Sequence, residues 1–248
     1  GYTRLIVDVT DFLIWGQDNF IVVKTYNSAQ PNTRWYTGSG IYRPVWLYTG
    51  GSVRIPVDGV RIQTPDASNE ISRVVVETIL DNDEGQSRKV TLKTRIQNRA
   101  GECVSQEKTT VSLYGHEKKT VRQVLYIRNA TLWSVEEPSL YQCGSEVRSD
   151  GGVLDSADTT FGIRRLELDP MHGLRVNGST VLLRGACIHQ DHGILGTASF
   201  KKAERRKVRL LKEAGFNAIR ISQHSATKAL LEACDELGML VLDEVFDV

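Results

Sequence analysis

The sequence predicts a multidomain β plus α/β chain: part of one β-sandwich, then an immunoglobulin-like β-sandwich, then the N-terminal part of a (β/α)8 TIM barrel. Up to about residue 160, short β-branched and aromatic runs alternate with turn-forming residues. Beyond Asp169 nearly continuous apolar strands alternate with helix-period segments. With 248 residues the chain is long enough to bury two or three separate cores.

The first segment, residues 1–54, contains the strand-like runs Leu5-Ile6-Val7 and Phe20-Ile21-Val22-Val23, separated by Gly16 and Asp18-Asn19. Some fifty residues are short for a sandwich, which needs roughly a hundred, so the segment reads as the last part of one. Residues 55–161 repeat the pattern more regularly in Val74-Val75-Val76, Val90 to Thr94, Thr110 to Leu113 and Gln123 to Tyr126. The turn signals Asp81 to Gly85 and Asn98 to Gly101 fall between them at the spacing of an antiparallel sandwich, which assigns the immunoglobulin-like domain.

In residues 162–248 a strand-like Val181-Leu182-Leu183 precedes a helix from Phe200 to Ala214, with Ala203, Leu210, Leu211 and Ala214 on one stripe and Gly215 as its stop. A strand, Ala218 to Ile221, follows. A second helix from about Ala226 to Leu237 carries Leu230, Leu231, Cys234 and Leu237 on one face and leads into the strand Met239 to Leu242. Such strand and helix alternation builds a parallel sheet from right-handed crossovers, either a (β/α)8 barrel or an open doubly wound sheet. The turn Arg184 to His189 lacks a Gly-rich phosphate fingerprint, which favours the barrel. Polar residues follow each strand: His189, Asp191 and His192, then Gln223 and His224, then Asp243, Glu244 and Asp247. In a barrel these strand ends converge on the active-site face. An incomplete barrel also exposes parallel edges, so pairing with a second copy is expected.

Apolar residues at 40 % and charged residues at 25 % describe an ordinary globular chain. Thirty-one Lys plus Arg against thirty Asp plus Glu leave a net charge of +1, and no basic field exists to attract nucleic acid or anionic lipid. The densest basic run, Lys201-Lys202 and Arg205-Arg206-Lys207 interrupted by Glu204, reads as a solvated helix face. Cys103, Cys143, Cys187 and Cys234 are too scattered for a zinc or redox motif and read as mostly buried thiols. Asp191 and His192 near His189 lack a third ligand, so neither a metal nor another cofactor is expected. No apolar run is long enough to cross a bilayer, and Gly1-Tyr2-Thr3-Arg4 has no signal-peptide pattern. Because the chain reads as beginning mid-domain, the compartment stays open: periplasmic, extracellular or cytoplasmic.

Three segments together resemble glycoside hydrolase family 2, in the manner of its bacterial β-galactosidases. The first is Asn27-Ser28 with Pro31 to Leu47, similar to the end of the family's sugar-binding jelly roll. The second is Phe161-Gly162-Ile163-Arg164, Asn177-Gly178 and Leu183 to Gly193, similar to the entry into its barrel. The third is Gly215 to Arg220 with Leu230 to Glu244. The three stand in the family's order, separated by a sandwich of the family's length.

The resemblance implies a retaining exo-glycosidase acting on carbohydrate, a terminal β-galactoside first, with β-glucuronidase and β-mannosidase activities open. It places the acid/base glutamate after the fourth barrel strand and the nucleophile after the seventh, at the close carboxylate spacing of retaining enzymes. The sequence ends at Val248, just past the third strand, so both glutamates are expected beyond Val248 and no catalytic residue is assigned within it. Asn69-Glu70 is an Asn-Glu pair, but it falls in a polar turn of the sandwich. A non-catalytic carbohydrate-binding module is the alternative from another class.

The resemblance makes Arg220 a residue that fixes carboxylates or sugar hydroxyls through its planar fork, and barrel-interior pairing is compatible with that role. His189 matches a histidine that touches sugar hydroxyls. Asp243 and Glu244 match a pocket-lining pair. Gln223 stands where many members have His, and His224 follows one place later. Asn27 matches a jelly-roll loop that reaches the barrel mouth. Trp35, Tyr36, Tyr42 and Trp46 read as inter-domain core rather than a stacking platform, and Leu132-Trp133-Ser134 with Pro138, Leu140 and Tyr141 as a structural motif closing the sandwich.

Overall fold

The computed structural model describes residues 3–26, 28 and 40–244. The chain divides into two compact units, one made of residues 46–183 and 235–240, the other of residues 1–45, 184–234 and 241–248.

The larger unit is built on two antiparallel sheets. In chain order its strands are β1 (Val53–Arg54), β2 (Val60–Asp66), β3 (Ile71–Asn82), β4 (Arg88–Gln97), β5 (Cys103–Leu113), β6 (Lys118–Arg128), β7 (Tyr141–Ser149) and β8 (Gly152–Phe161). One sheet pairs β3 with β1 and β2 on one side and with β6 on the other; the second runs β5-β4-β7-β8. Period-2 alternation fixes what each strand buries. Val74, Val76, Thr78 and Leu80 of β3 are all fully buried, and Val90, Leu92, Thr94 and Ile96 of β4 repeat the row.

The core separates into two apolar clusters. One gathers Val74, Val76, Ile96, Leu125, Ile127, Tyr141 and Cys143, and the other Leu80, Val90, Leu92, Val111, Leu113, Val121 and Val147. Between them lie Thr78, Thr94, Gln123 and Ser145, one polar residue per strand and all buried. Gln123 Nε2 donates to the Leu92 carbonyl at 3.3 Å and to Thr109 Oγ1 at 2.9 Å, and the Thr94 and Ser145 hydroxyls stand 3.4 Å apart. Each aliphatic side chain buried here contributes about 1.5–3 kcal/mol.

Strand β3 continues through Asp81 and Asn82, where the sequence reading expects a turn. Asn82 Nδ2 reaches the Gln86 and Tyr114 carbonyls at 2.9 and 2.8 Å, so a turn-forming residue here braces the sheet end instead. The same unit holds a small antiparallel sheet of β9 (Leu166–Asp169), β10 (Gly173–Val176) and β11 (Ser179–Thr180).

The smaller unit carries β12 (Gly185–Ile188), α1 (Lys201–Glu213), β13 (Ala218–Ile221) and the start of α2 (Lys228–Leu237), which leads to β14 (Leu240–Asp243). The sheet order is β12-β13-β14, with β12 and β13 parallel in the register Gly185↔Ala218 to Ile188↔Ile221. The first barrel strand is therefore Gly185–Ile188 rather than Val181 to Leu183, of which Leu182 is 76 % exposed. Gly185 allows this close pairing, since a Cβ there would lie 2.9 Å from the Ala218 carbonyl oxygen.

Helix α1 corrects the predicted stripe. Its buried residues are Glu204 and Val208, one turn apart, whereas Leu210 and Ala214 are exposed. Helix α2 buries Leu230, Ala233 and Cys234. Residues 3–26 hold no strand: a 3-10 turn at Thr10–Phe12 and a further turn at Trp15-Gly16 interrupt otherwise irregular backbone, and Leu5 and Phe20 are 87 % and 89 % exposed. The expected strands there do not form among the described residues, because a β-branched run becomes a strand only where a neighbour completes the ladder. Trp46 is likewise exposed rather than core, and Trp35 and Tyr36 lie outside the described residues. Only Cys143 and Cys234 are buried; Cys103 and Cys187 are exposed, which corrects the expectation for those two. Burial pushes the Cys143 thiol up to about 11, an inert structural cysteine.

Candidate functional site

The site forms where β12, β13 and β14 end. On β13, Ile219 and Ile221 are buried while Arg220 projects from the opposite face. The register pairs Arg220 with Cys187, so both side chains leave the sheet on one side, and Arg220 Nη1 donates to Cys187 Sγ at 3.7 Å. Arg220 also makes an ion pair with Glu244, just past β14. Glu244 accepts a second bond, 2.7 Å from the backbone N–H of Gln223.

Gln223 has φ +68°, a left-handed conformation that costs a non-glycine residue roughly 1–3 kcal/mol and tends to cluster where geometry serves function. That turn aims its N–H at Glu244. The Gln223 N–H first, and Arg220 second, hold the Glu244 carboxyl below its ordinary value, and the hydrogen bond to Glu244 in turn raises Arg220. Asp243 Oδ1 accepts from the Ala226 N–H at 3.0 Å, ordering the approach to α2. Thr227 caps that helix, its hydroxyl accepting from the Leu230 N–H at 3.2 Å.

His224 is buried, with Nδ1 3.1 Å from the Ser225 carbonyl. Burial pushes its pKa below the ordinary 6.5; the Ser225 carbonyl opposes this, while the nearby Arg43 and His189 side chains add to it. His189 also acts electrostatically on Glu244, which puts the first and third strand ends in one field. Because His224 takes up a proton less readily folded than unfolded, its contribution to stability is complete above about pH 6.5 and is lost as pH falls through the depressed folded value. Glu244 acts in the same direction, its contribution being lost as pH falls from 4.5 through its lowered value. Thermal melting should therefore move to lower temperature between pH 7.5 and 5.5, and His224→Asn should flatten that dependence. An equally steep profile in the variant would refute the assignment.

These residues make a face of fixed donors and acceptors, with a guanidinium fork, two carboxylates and two imidazoles, suited to a polyhydroxylated ligand. Residues 54–164 match the profile of Glycosyl hydrolases family 2, and residues 170–247 match that of the Glycosyl hydrolases family 2 TIM barrel domain. The chain belongs to glycosyl hydrolase family 2. Its multidomain β plus α/β fold, a β-sandwich followed by the N-terminal part of a TIM barrel, is that of the family.

A β-galactosidase of Bacteroides ovatus is 32 % identical over the whole chain, which spans 29 % of that protein. A family 2 member from Bacteroides cellulosilyticus superposes with a TM-score of 0.92 at 40 % identity, over 96 % of this chain and 33 % of the other. The β-glucuronidase of Bacteroides uniformis gives a TM-score of 0.82 at 30 % identity, over 89 % of this chain and 28 % of the other. The chain thus spans about a third or less of these family 2 relatives.

Within the family 2 frame, the structure brings together His189, Arg220, Gln223, Asp243 and Glu244 among the residues singled out from sequence. Asn27, Asp247 and Val248 lie outside the described residues. Asn69 and Glu70 are exposed in a loop between β2 and β3 of the larger unit. Sequence reasoning missed three participants: Cys187, visible only through the register, Arg43, whose partners are distant in sequence, and Glu204, whose partners come from several segments that meet only in the fold. Arg43 Nη2 donates to the Ser225 carbonyl at 2.8 Å and to Gln190 Oε1 at 3.3 Å. Glu204, which in sequence reads as a break in a basic face, is 1 % exposed.

Proposed function

We propose that the chain is the recognition part of a retaining exo-glycosidase that removes terminal β-galactosides, with domains at residues 1–54, 55–161 and 162–248. The observation that carries this reading is the convergence of His189, Arg220, Gln223, Asp243 and Glu244 at the ends of three neighbouring strands, a cluster of directional groups able to bind sugar hydroxyls. Asn27 joins them in this proposal. No glutamate pair of a retaining enzyme is assigned among these 248 residues, and in this proposal they bind sugar weakly by themselves and do not hydrolyse it. Self-pairing of the chain through an edge of the three-stranded sheet is part of the same proposal.

β-Glucuronidase is the second reading, supported by the name and 30 % identity of the Bacteroides uniformis structure. β-Mannosidase follows on family grounds. A glucuronate carboxylate needs a cation with spare donors, whereas Arg220 is committed to Glu244, which favours the neutral sugar. The test is turnover of p-nitrophenyl β-galactoside, β-glucuronide and β-mannoside by the longest natural polypeptide that carries these residues, and by the 248-residue chain. Galactoside hydrolysis by the long form alone is expected. Preference for another glycoside overturns the substrate, hydrolysis by the 248-residue chain overturns its inactivity, and tight galactoside binding by that chain in calorimetry supports a non-catalytic module instead.

A further inference from the structure

A second charged group lies behind the strand-end cluster. Glu204, in the first turn of α1, is almost completely enclosed, and its partners come from three stretches of chain. His192 Nε2 is 3.1 Å from Oε1, and the Ser199 hydroxyl donates to the same oxygen at 2.7 Å; both belong to the segment that follows β12. The Thr227 hydroxyl, already the cap of α2, donates at 3.3 Å from the segment that follows β13. Lys207 Nζ, one turn along α1, stands 3.5 Å from Oε2 and 3.4 Å from His192 Nε2. Burial alone would raise the Glu204 pKa, but Ser199, Lys207 and His192 outweigh it and keep the carboxyl below its ordinary range.

Enclosing a carboxylate is unfavourable, and a well-packed apolar side chain would secure the helix as well or better. A buried charge does something an apolar side chain does not: it accepts directional bonds from several segments at once and sets their relative positions. We propose that Glu204 is a positioning residue that locks the segment carrying His189 against the segment carrying Gln223 and His224. The proposal rests on the reading of those residues as sugar contacts.

The lever is short on both sides. His189 is three residues from His192, within a loop closed by Asp191 N–H to the His189 carbonyl at 2.8 Å and His192 N–H to the Gly196 carbonyl at 2.9 Å. His224 is three residues from Thr227. A second tie joins the same two segments independently, because Arg43 bonds both Gln190 and the Ser225 carbonyl while the Ser199 N–H donates to the Tyr42 carbonyl at 2.8 Å. With two ties in place, loss of Glu204 loosens the segments without releasing them, which is what a positioning role requires.

The experiment uses the longest natural polypeptide carrying these residues, with Glu204→Leu and the isosteric Glu204→Gln as a variant that keeps an acceptor. Hydrogen exchange read by mass spectrometry should accelerate by about tenfold in peptides covering 189–199 and 223–227 in Glu204→Leu, less in Glu204→Gln, with β3 and β6 unchanged. KM for p-nitrophenyl β-galactoside should rise roughly tenfold in Glu204→Leu while kcat changes far less, and Glu204→Gln should recover part of it. Unchanged exchange in both segments overturns the lock, and faster exchange with an unchanged KM overturns the positioning role. Failure of the parent polypeptide to hydrolyse any β-glycoside overturns the glycosidase reading instead, and exchange alone then decides the lock.

Discussion

Trp133→Ala should lower stability by about 3–5 kcal/mol, the range for truncating a buried aromatic side chain, measured as a shift of the urea midpoint at constant m. The indole is among the largest fully buried side chains. Gly162 lies so close that a Cβ there would sit 3.0 Å from the Trp133 Cβ, and the Arg164 guanidinium stacks on the ring at 4.6 Å. Burial against this ring is the first cause of the lowered Arg164 pKa. Trp133 Nε1 donates to the Asp235 carbonyl at 2.8 Å, and Asn177 Nδ2 donates to the Trp133 carbonyl at 3.0 Å. Alanine removes the packing, the stacking and the indole donor together. Trp133→Phe isolates the hydrogen bond and should cost only about 0.5–1.5 kcal/mol. A loss under about 1 kcal/mol in Trp133→Ala would show that the residue is peripheral.

Arg220→Met should reduce kcat/KM for the preferred glycoside by on the order of a hundredfold in the longest natural polypeptide, the penalty typical of a displaced contact in a site that depends on orientation. Methionine matches the stem length but provides no fork. Glu244 would keep only the Gln223 N–H and lose the charge that sets its direction. Arg220→Lys should recover little, because a single ammonium cannot bond Glu244 and face Cys187 in one plane. Near-normal kinetics in both variants would mean that the Arg220–Glu244 pair is only an ion pair of the barrel wall.

What the sequence revealed depended on how locally each feature is encoded. Strands β3, β4 and β6 were legible because one apolar row per strand repeats with period 2, and β13 was located residue for residue by Ala218-Ile219-Arg220-Ile221. The first barrel strand was misplaced because Val181 to Leu183 is the more apolar run; the true strand, Gly185–Ile188, is chosen by how closely Gly185 can approach Ala218. The stripe of α1 was misread for a related reason. Apolarity pointed to Leu210 and Ala214, while the face actually buried is centred on Glu204, whose burial depends on Ser199, His192 and Thr227.

The strand-like runs of residues 3–26 had the right composition but no ladder partner among the described residues. The buried polar row Thr78, Thr94, Gln123 and Ser145 was invisible for the opposite reason, since each residue looks like an ordinary interruption until four strands align. At the site, side-chain types at strand ends were legible, but the tie from Arg43 to Gln190 spans 147 residues and the positive φ of Gln223 leaves no mark in its residue type.

In the proposed reading the ends of β12, β13 and β14 form one wall of a sugar pocket, and a crystal structure of the longest natural polypeptide soaked with a slowly hydrolysed β-galactoside gives the distances from the sugar hydroxyls to this wall. Hydroxyl oxygens should lie within about 3.2 Å of polar atoms on at least two of His189, Gln223, Asp243 and Glu244. A sugar ordered in the catalytic centre but out of reach of all four would contradict that reading.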